Sequence, residues 1–195
     1  MTGKHVLNVV AATVVAMILA PVAQAHTFGA HGAGFAAGLA HPFIGVDHLL
    51  AMVAVGLWAA QLGGRALWIV PGAFVVTLTI GSALAFAGIA LPGAEIAITG
   101  SLLVLGVLVT LAVRLPVAIG GAMVAAFALF HGHAHGAELP QAASPGLYAT
   151  GFILATVALH ALGVAAGTLW RDRYGWLTRA AGLSVLGGGL WLLAG

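Results

Sequence analysis

Long apolar segments are the feature that most limits what this chain can fold into. Each is long enough to cross a bilayer as a helix, and short connections with glycine, proline or charge separate them. The segments cover approximately residues 34–61, 66–90, 95–113, 116–136, 146–170 and 175–194. Only 5% of the residues are charged, against about 25% in soluble domains. The sequence therefore predicts an all-α integral membrane protein, a bundle of six transmembrane helices.

The N-terminus has the parts of a cleavable signal peptide. Lys4 supplies a positive start, residues 6–20 are apolar, and Ala23-Gln24-Ala25 fits the small-x-small pattern of a cleavage site. This apolar core is short for a membrane span. We therefore expect residues 1–25 to be a signal peptide and residues 26–195 to form a single six-span transmembrane domain. An uncleaved first membrane helix is the alternative.

Basic residues indicate the orientation. After cleavage the mature N-terminus, His26, lies outside and the first span runs inward. The arginines then all fall at cytoplasmic ends of spans, and they are Arg65, Arg114, Arg171, Arg173 and Arg179. Because this pattern obeys the positive-inside rule, we expect a bacterial inner membrane, a periplasmic N-terminus and cytoplasmic basic loops. A net charge of +2 with no basic run gives no sign of a nucleic-acid partner.

The first span contains the string HPFIGVDH, in which ionisable groups lie at membrane depth. Such groups are costly there and usually mark a pathway or a site. In a continuous helix His41 and His48 share one face, and Asp47 beside them can bind an ion or orient an imidazole. Pro42 and Gly45 favour a kink or break that frees backbone carbonyls. Alternatively, Pro42 starts the helix and Asp47 merely pairs with His48.

The fourth span ends in FHGHAHGAE. His131, His135 and Glu138 stand at i, i+4 and i+7, so they form one stripe of a helix. Two imidazoles at this spacing suit one metal ion, and the carboxylate can complete or neutralise the site. His133 points off the stripe and is predicted to be a relay or surface group. A polar helix end at the water interface is the alternative interpretation of this motif.

Weaker candidates for metal binding lie elsewhere. His160 is near the middle of the fifth span, where it either serves the pathway or packs with a hydrogen bond to Thr156. Glu95 begins the third span, where the helix dipole alone would favour a carboxylate. His26 and His31 are expected at the outer surface. The free amine and imidazole of His26 can chelate an ion if cleavage follows Ala25.

At these motifs the chain resembles the HupE/UreJ family of nickel permeases. The resemblance covers essentially the whole chain, with HPFIGVDHLLAM in the first span, FHGHAHGAE closing the fourth and ATVALHALG in the fifth. The family is associated with nickel supply to hydrogenase and urease, and some members with cobalt. The resemblance implies a set of residues needed for transport, with less weight on His133: His41, Asp47, His48, His131, His135 and Glu138.

The sequence therefore predicts a secondary permease or facilitator that imports Ni²⁺ through ligands in the first, fourth and fifth spans. We expect no prosthetic group, the metal ion being the substrate. A Co²⁺ or other divalent-metal transporter and a non-transporting metal receptor are the alternatives. A homo-oligomer or a metallochaperone stays open as a partner. An enzyme is not expected, since Ser82 and Ser101 lie outside any GxSG-like string.

Overall fold

The computed structural model describes residues 30–140 and 143–194, and within them every regular element is a helix. Seven helices follow one another in this part of the chain: α1 (Ala30–Ile44), α2 (Val46–Leu62), α3 (Ala66–Phe86), α4 (Ala94–Leu111), α5 (Val117–Ala137), α6 (Pro145–Trp170) and α7 (Gly175–Ala194). The all-α prediction is confirmed for these residues. The predicted signal peptide and His26 lie outside them.

Five of these helices, α3 to α7, are long and apolar enough to cross a membrane. Their bounds fall within four residues of the spans predicted from the sequence. The largest difference is at the end of α3, because Gly88 adopts a left-handed conformation with φ 74° and turns the chain early. The predicted first span is instead two helices, α1 and α2, and the number of spans reaches six if this bent pair counts as one.

The bend between α1 and α2 is 79° and lies at Gly45. The backbone of Gly45 is extended, with φ −79° and ψ 106°. Pro42 stands in the last turn of α1, and its missing N–H already weakens the helical ladder there. The new helix is stabilised at once, because Asp47 Oδ1 accepts the backbone N–H of His48 at 2.8 Å. The kink or break predicted at Pro42 and Gly45 is therefore confirmed, and His41 and His48 lie on two separate helices.

The helices pack in close pairs. α1 and α2 lie against α6, α3 lies against α5, and α4 lies against α7. Glycine permits the closest approaches, since a Cβ at Gly38 would overlap the backbone of Tyr148 and a Cβ at Gly163 would overlap that of Val53. Helices in lipid have no hydrophobic driving force for association, so they depend on the close van der Waals packing that small residues allow. The positions of α1 and α2 relative to α6 are thus set by backbone contact.

The two ends of the bundle differ in chemistry. At one end Trp58 Nε1 donates to the Val113 carbonyl at 2.9 Å and Gln61 Nε2 donates to the Val109 carbonyl at 2.8 Å, tying α2 to α4 and to the connection that follows it. Four of the arginines lie in the connections at this end, and they are Arg65, Arg114, Arg171 and Arg173. The connections after α3 and α5 lie at the opposite end, together with the histidine motifs. Basic residues and the candidate site are therefore far apart.

Candidate metal centre

Three histidines from three helices meet in one cluster, which we call the three-histidine cluster: His41 of α1, His48 of α2 and His135 of α5. One nitrogen from each lies within 4.8 Å of the others. The ring of His135 is 4.7 Å from that of His41 and 4.2 Å from that of His48. The bend at Gly45 makes this possible, because it turns the end of α1 and the start of α2 toward the same side of α5. Neutral imidazoles grouped in this way suit a borderline divalent metal ion.

A carboxylate lies against each of the two histidines from the bent pair. Glu138 Oε2 is 2.8 Å from Nε2 of His41. Asp47 Oδ1 is 3.2 Å from Nδ1 of His48, which is an ion-pair distance without full hydrogen-bond geometry. Carboxylates in such positions orient an imidazole and leave its other nitrogen free to bind metal. The free nitrogens are then Nδ1 of His41 and Nε2 of His48.

The exposed fraction of the side chain falls in order from Glu138 through His41 and His48 to His135. Glu138 is 59% exposed, His41 20% and His48 6%, while His135 is fully buried. Phe152 stacks on the His135 ring at 4.9 Å with an angle of 8° between the planes. Both nitrogens of His135 lack a hydrogen-bond partner among the described residues. An unsatisfied buried imidazole is unfavourable unless a ligand completes it.

A cavity of about 510 Å³ lies beside the cluster. Three of the four acidic residues of the chain line it, namely Asp47, Glu95 and Glu138. Glu95 stands in the first turn of α4 without acting as its cap, so the helix-dipole explanation and a role in the cavity are compatible. Carboxylates gathered at one cavity concentrate cations from solution. The cavity therefore has the charge expected of a cation-collecting vestibule.

His131 lies one turn before His135 but outside the three-histidine cluster. Its ring is 5.1 Å from that of His48, and its Nε2 is 3.0 Å from the hydroxyl of Ser101. The aromatic ring of Phe74 lies 5.7 Å from His131 and 4.9 Å from His160. Histidine side chains thus continue from the cluster into the interior, with a phenylalanine between the last two.

His160 is buried, and neither of its ring nitrogens has a hydrogen-bond partner among the described residues. The hydroxyl of Thr156, which the sequence offered as a partner, donates to the Phe152 carbonyl at 2.8 Å instead. A histidine whose only role is packing would be expected to find a partner. The position of His160 is therefore that of an available ligand.

The chain is similar to known proteins along nearly its whole length. A protein-family model described as HupE / UreJ protein matches residues 13–192. Protein HupE of Rhizobium leguminosarum bv. viciae is 47% identical over 184 residues, which is 94% of this chain and 96% of that protein. The chain belongs to the HupE/UreJ family.

Membership of the HupE/UreJ family confirms the resemblance inferred from the motifs. It supports a role related to nickel or cobalt transport across a membrane, and it is consistent with a protein that is not an enzyme. No solved structure matches the chain. The positions of the motifs relative to one another are therefore described by the contacts within this structure.

The remaining predicted residues lie apart from the cluster. His133 Nε2 is 2.9 Å from the Ile89 carbonyl and 3.2 Å from the Leu91 amide, so this imidazole holds the connection that follows α3. It also lines the cavity. His31 belongs to α1, but its side chain is outside the described part of the structure, as is the whole of His26.

Sequence reasoning missed the aromatic and hydroxyl groups that surround the imidazoles. Tyr148 lies edge-on to His41 at 5.9 Å, and Phe74, Phe152 and Ser101 contact the histidines named above. From the sequence, Ser101 stood out only as a candidate nucleophile. No spacing rule identifies such residues, because each contact joins helices that are distant in the chain. The one signal in the sequence was Tyr148, a polar aromatic residue near the start of a span.

Proposed function

We propose that this HupE/UreJ family member is an inner-membrane secondary permease or facilitator that imports Ni²⁺ for hydrogenase or urease maturation. The observation that carries the proposal is the meeting of His41, His48 and His135 within 4.8 Å, beside a cavity with three carboxylates. Nothing in a helix bundle requires three imidazoles at one point. A divalent cation that accepts nitrogen and oxygen ligands accounts for the whole arrangement.

The proposed route begins in the cavity. Carboxylates attract the hydrated ion, and the three-histidine cluster then replaces part of its water shell. Asp47 and Glu138 together offset its two positive charges, which reduces the cost of moving a charge to membrane depth. His131 and His160 extend the ligands inward. The ion therefore meets a new donor before it gives up the previous one.

The donor set restricts the choice of metal without fixing it. Imidazole nitrogen and carboxylate oxygen suit Ni²⁺ and Co²⁺, and such sites generally bind nickel more tightly than cobalt. The chain has no cysteine that would favour softer ions. Co²⁺ is accordingly the second candidate substrate.

The proposal includes a topology and an energy source. Residues 1–25 are removed, the mature chain of residues 26–195 has six spans with α1 and α2 as one, and the arginines face the cytoplasm. The cavity then opens to the periplasm. A membrane potential of 100 mV favours inward movement of a divalent ion by about 4.6 kcal/mol. That is enough for an accumulation of about 2000-fold, so the potential alone can drive uptake.

The test is uptake of ⁶³Ni²⁺ at trace concentration by cells lacking other nickel importers. We compare wild type, His48→Ala and His133→Ala at matched membrane expression. His48→Ala should lose uptake by about 10-fold or more. His133→Ala is the matched control, since it removes an imidazole that lines the same cavity but lies outside the three-histidine cluster, and it should keep most of the uptake.

Each outcome decides between functions. Absence of wild-type uptake would refute nickel import, and metal binding without flux in sealed vesicles would favour a receptor. Equal uptake by wild type and His48→Ala would remove the cluster from the route. Competition by Co²⁺ in the same assay ranks the two metals.

A further inference from the structure

The hydroxyl of Ser101 lies within hydrogen-bond distance of two partners, a carbonyl oxygen and an imidazole nitrogen. Its Oγ is 2.6 Å from the Ile98 carbonyl oxygen and 3.0 Å from Nε2 of His131. Ser101 and His131 are both fully buried. A serine has one proton to donate, and two oxygens 2.6 Å apart repel unless that proton lies between them. Ser101 therefore donates to Ile98 and has only lone pairs to offer His131.

This arrangement determines the tautomer of His131. Because Ser101 can only accept from it, Nε2 of His131 must carry the proton, and Nδ1 must present its lone pair. That Nδ1 is buried and has no hydrogen-bond partner among the described residues. A buried acceptor without a partner is unfavourable in the absence of a ligand. The lone pair is therefore available to a ligand, because no protein group in the described part of the chain donates a hydrogen bond to it.

His131 lies next to the three-histidine cluster, where the inner part of the proposed route begins. One side of its ring faces His48, a member of the three-histidine cluster, at 5.1 Å between ring centres. On another side lies Phe74, which also contacts His160. His131 is consequently the imidazole that joins the cluster to the inner part of the proposed route.

We propose that Ser101 is a positioning residue that holds His131 in the Nε2–H tautomer, so that Nδ1 receives the cation leaving the three-histidine cluster. The proposal rests on the proposed function. It extends a pattern already present at the outer histidines, where a carboxylate oxygen of Glu138 or Asp47 lies against one nitrogen of each ring. At depth a neutral hydroxyl replaces the carboxylate, which avoids burying a further charge.

A serine–histidine contact of this length is also used in acyl transfer, where the imidazole removes the serine proton. Here the proton of Ser101 points to the Ile98 carbonyl. Within the described residues, no carboxylate contacts the other nitrogen of His131. The direction of the hydrogen bond therefore favours a role in orienting the imidazole over a nucleophilic role for the serine.

The tautomer can be measured directly. Full-length protein labelled with ¹⁵N-histidine is placed in lipid nanodiscs, and the His131 signals are assigned by their loss in His131→Gln. In wild type the proton should reside on Nε2 alone, whereas Ser101→Ala should give a mixture of tautomers or the opposite one. A wild-type proton on Nδ1, or the same tautomer in both proteins, would overturn the proposal.

Transport supplies the second measurement. Ser101→Ala should lower the maximal ⁶³Ni²⁺ uptake rate by about 10-fold while the half-saturating concentration stays close to wild type, because the outer cluster is intact. Ser101→Thr retains the hydroxyl and should take up nickel at a maximal rate close to that of wild type. Ser82→Ala is the matched control, since Ser82 is also buried and donates to a backbone carbonyl, that of Thr79, without a hydrogen bond to a histidine.

An uptake rate for Ser101→Ala equal to that of Ser82→Ala would refute the positioning role. If wild type takes up no nickel, the proposed function fails by itself. The tautomer measurement still decides whether Ser101 orients His131, so the two failures are distinguishable.

Discussion

Substitution of Gly38 by alanine tests whether the three-histidine cluster depends on the close approach of α1 to α6. A Cβ at this position would overlap the Tyr148 carbonyl oxygen and lie 2.9 Å from its carbonyl carbon. Ordinary contact begins at 3.4 Å, so the carbonyl-carbon contact alone requires the two helices to separate by about 0.5 Å, and the closer carbonyl oxygen requires more. His41 lies one turn further along α1 and would move with it.

The consequence for metal binding follows from how sharply ligand distances are defined. Metal–ligand bonds vary by only about 0.2 Å, so a displacement of about 0.5 Å takes His41 out of bonding range unless the helix tilts. We expect Ni²⁺ affinity to fall by about 10- to 100-fold, the range seen when supports of metal ligands are removed. Overpacking should also lower the free energy of unfolding by about 1–3 kcal/mol.

Gly34→Ala is the matched control, since it lies one turn earlier on the same helix. Its Cβ would meet the Ala143 side chain at 3.4 Å, which is ordinary contact. Both variants gain the same helix propensity of about 1 kcal/mol, so their difference reports packing alone. The assays are ⁶³Ni²⁺ binding to purified protein and thermal unfolding in detergent. Equal binding by the two variants would refute the argument that backbone contact sets the position of His41.

Three further predictions concern protonation, charge and stability. Uptake should be lost at acid external pH, because an imidazole must be unprotonated to bind metal, and undiminished uptake well below about pH 6.5, the ordinary pKa of histidine, would contradict histidine ligation. Glu95→Gln should slow uptake at low ionic strength and have little effect at high salt, since salt screens the field of an exposed carboxylate; equal slowing at both would contradict attraction at a distance. Trp58→Phe removes the bond to Val113 and should lower the free energy of unfolding by about 1 kcal/mol, measured by thermal melting in detergent, with an unchanged melting temperature counting against that bond.

The class of the protein could be predicted from the sequence because membrane insertion depends on local properties of the chain. A lipid-exposed segment must satisfy its own backbone groups, so hydropathy alone predicts which segments form the spanning helices. The bounds of α7 agree with the prediction at both ends, and those of α5 and α6 agree to within one residue. The motifs around His41 and His131 likewise indicated the family, because each is a continuous string of residues whose recognition needs no tertiary contact.

The tertiary structure determines which side chains each histidine contacts. The sequence grouped His131 with His135 and Glu138 on one stripe of a helix. In the structure His135 joins His41 and His48, Glu138 pairs with His41, and His131 bonds to Ser101. Spacing along one helix cannot reveal these contacts, because they depend on which neighbouring helix each side chain meets.

The sequence by itself thus determined an all-helical membrane protein, its family and the residue types available for binding metal. Only the tertiary structure decided which imidazoles share a point in space. The 79° bend at Gly45 turns His41 and His48 toward α5, and contact at Gly38 fixes how near α1 lies to α6. Both depend on the angle and distance between helices, and these are properties of the packed bundle that no single segment of sequence contains.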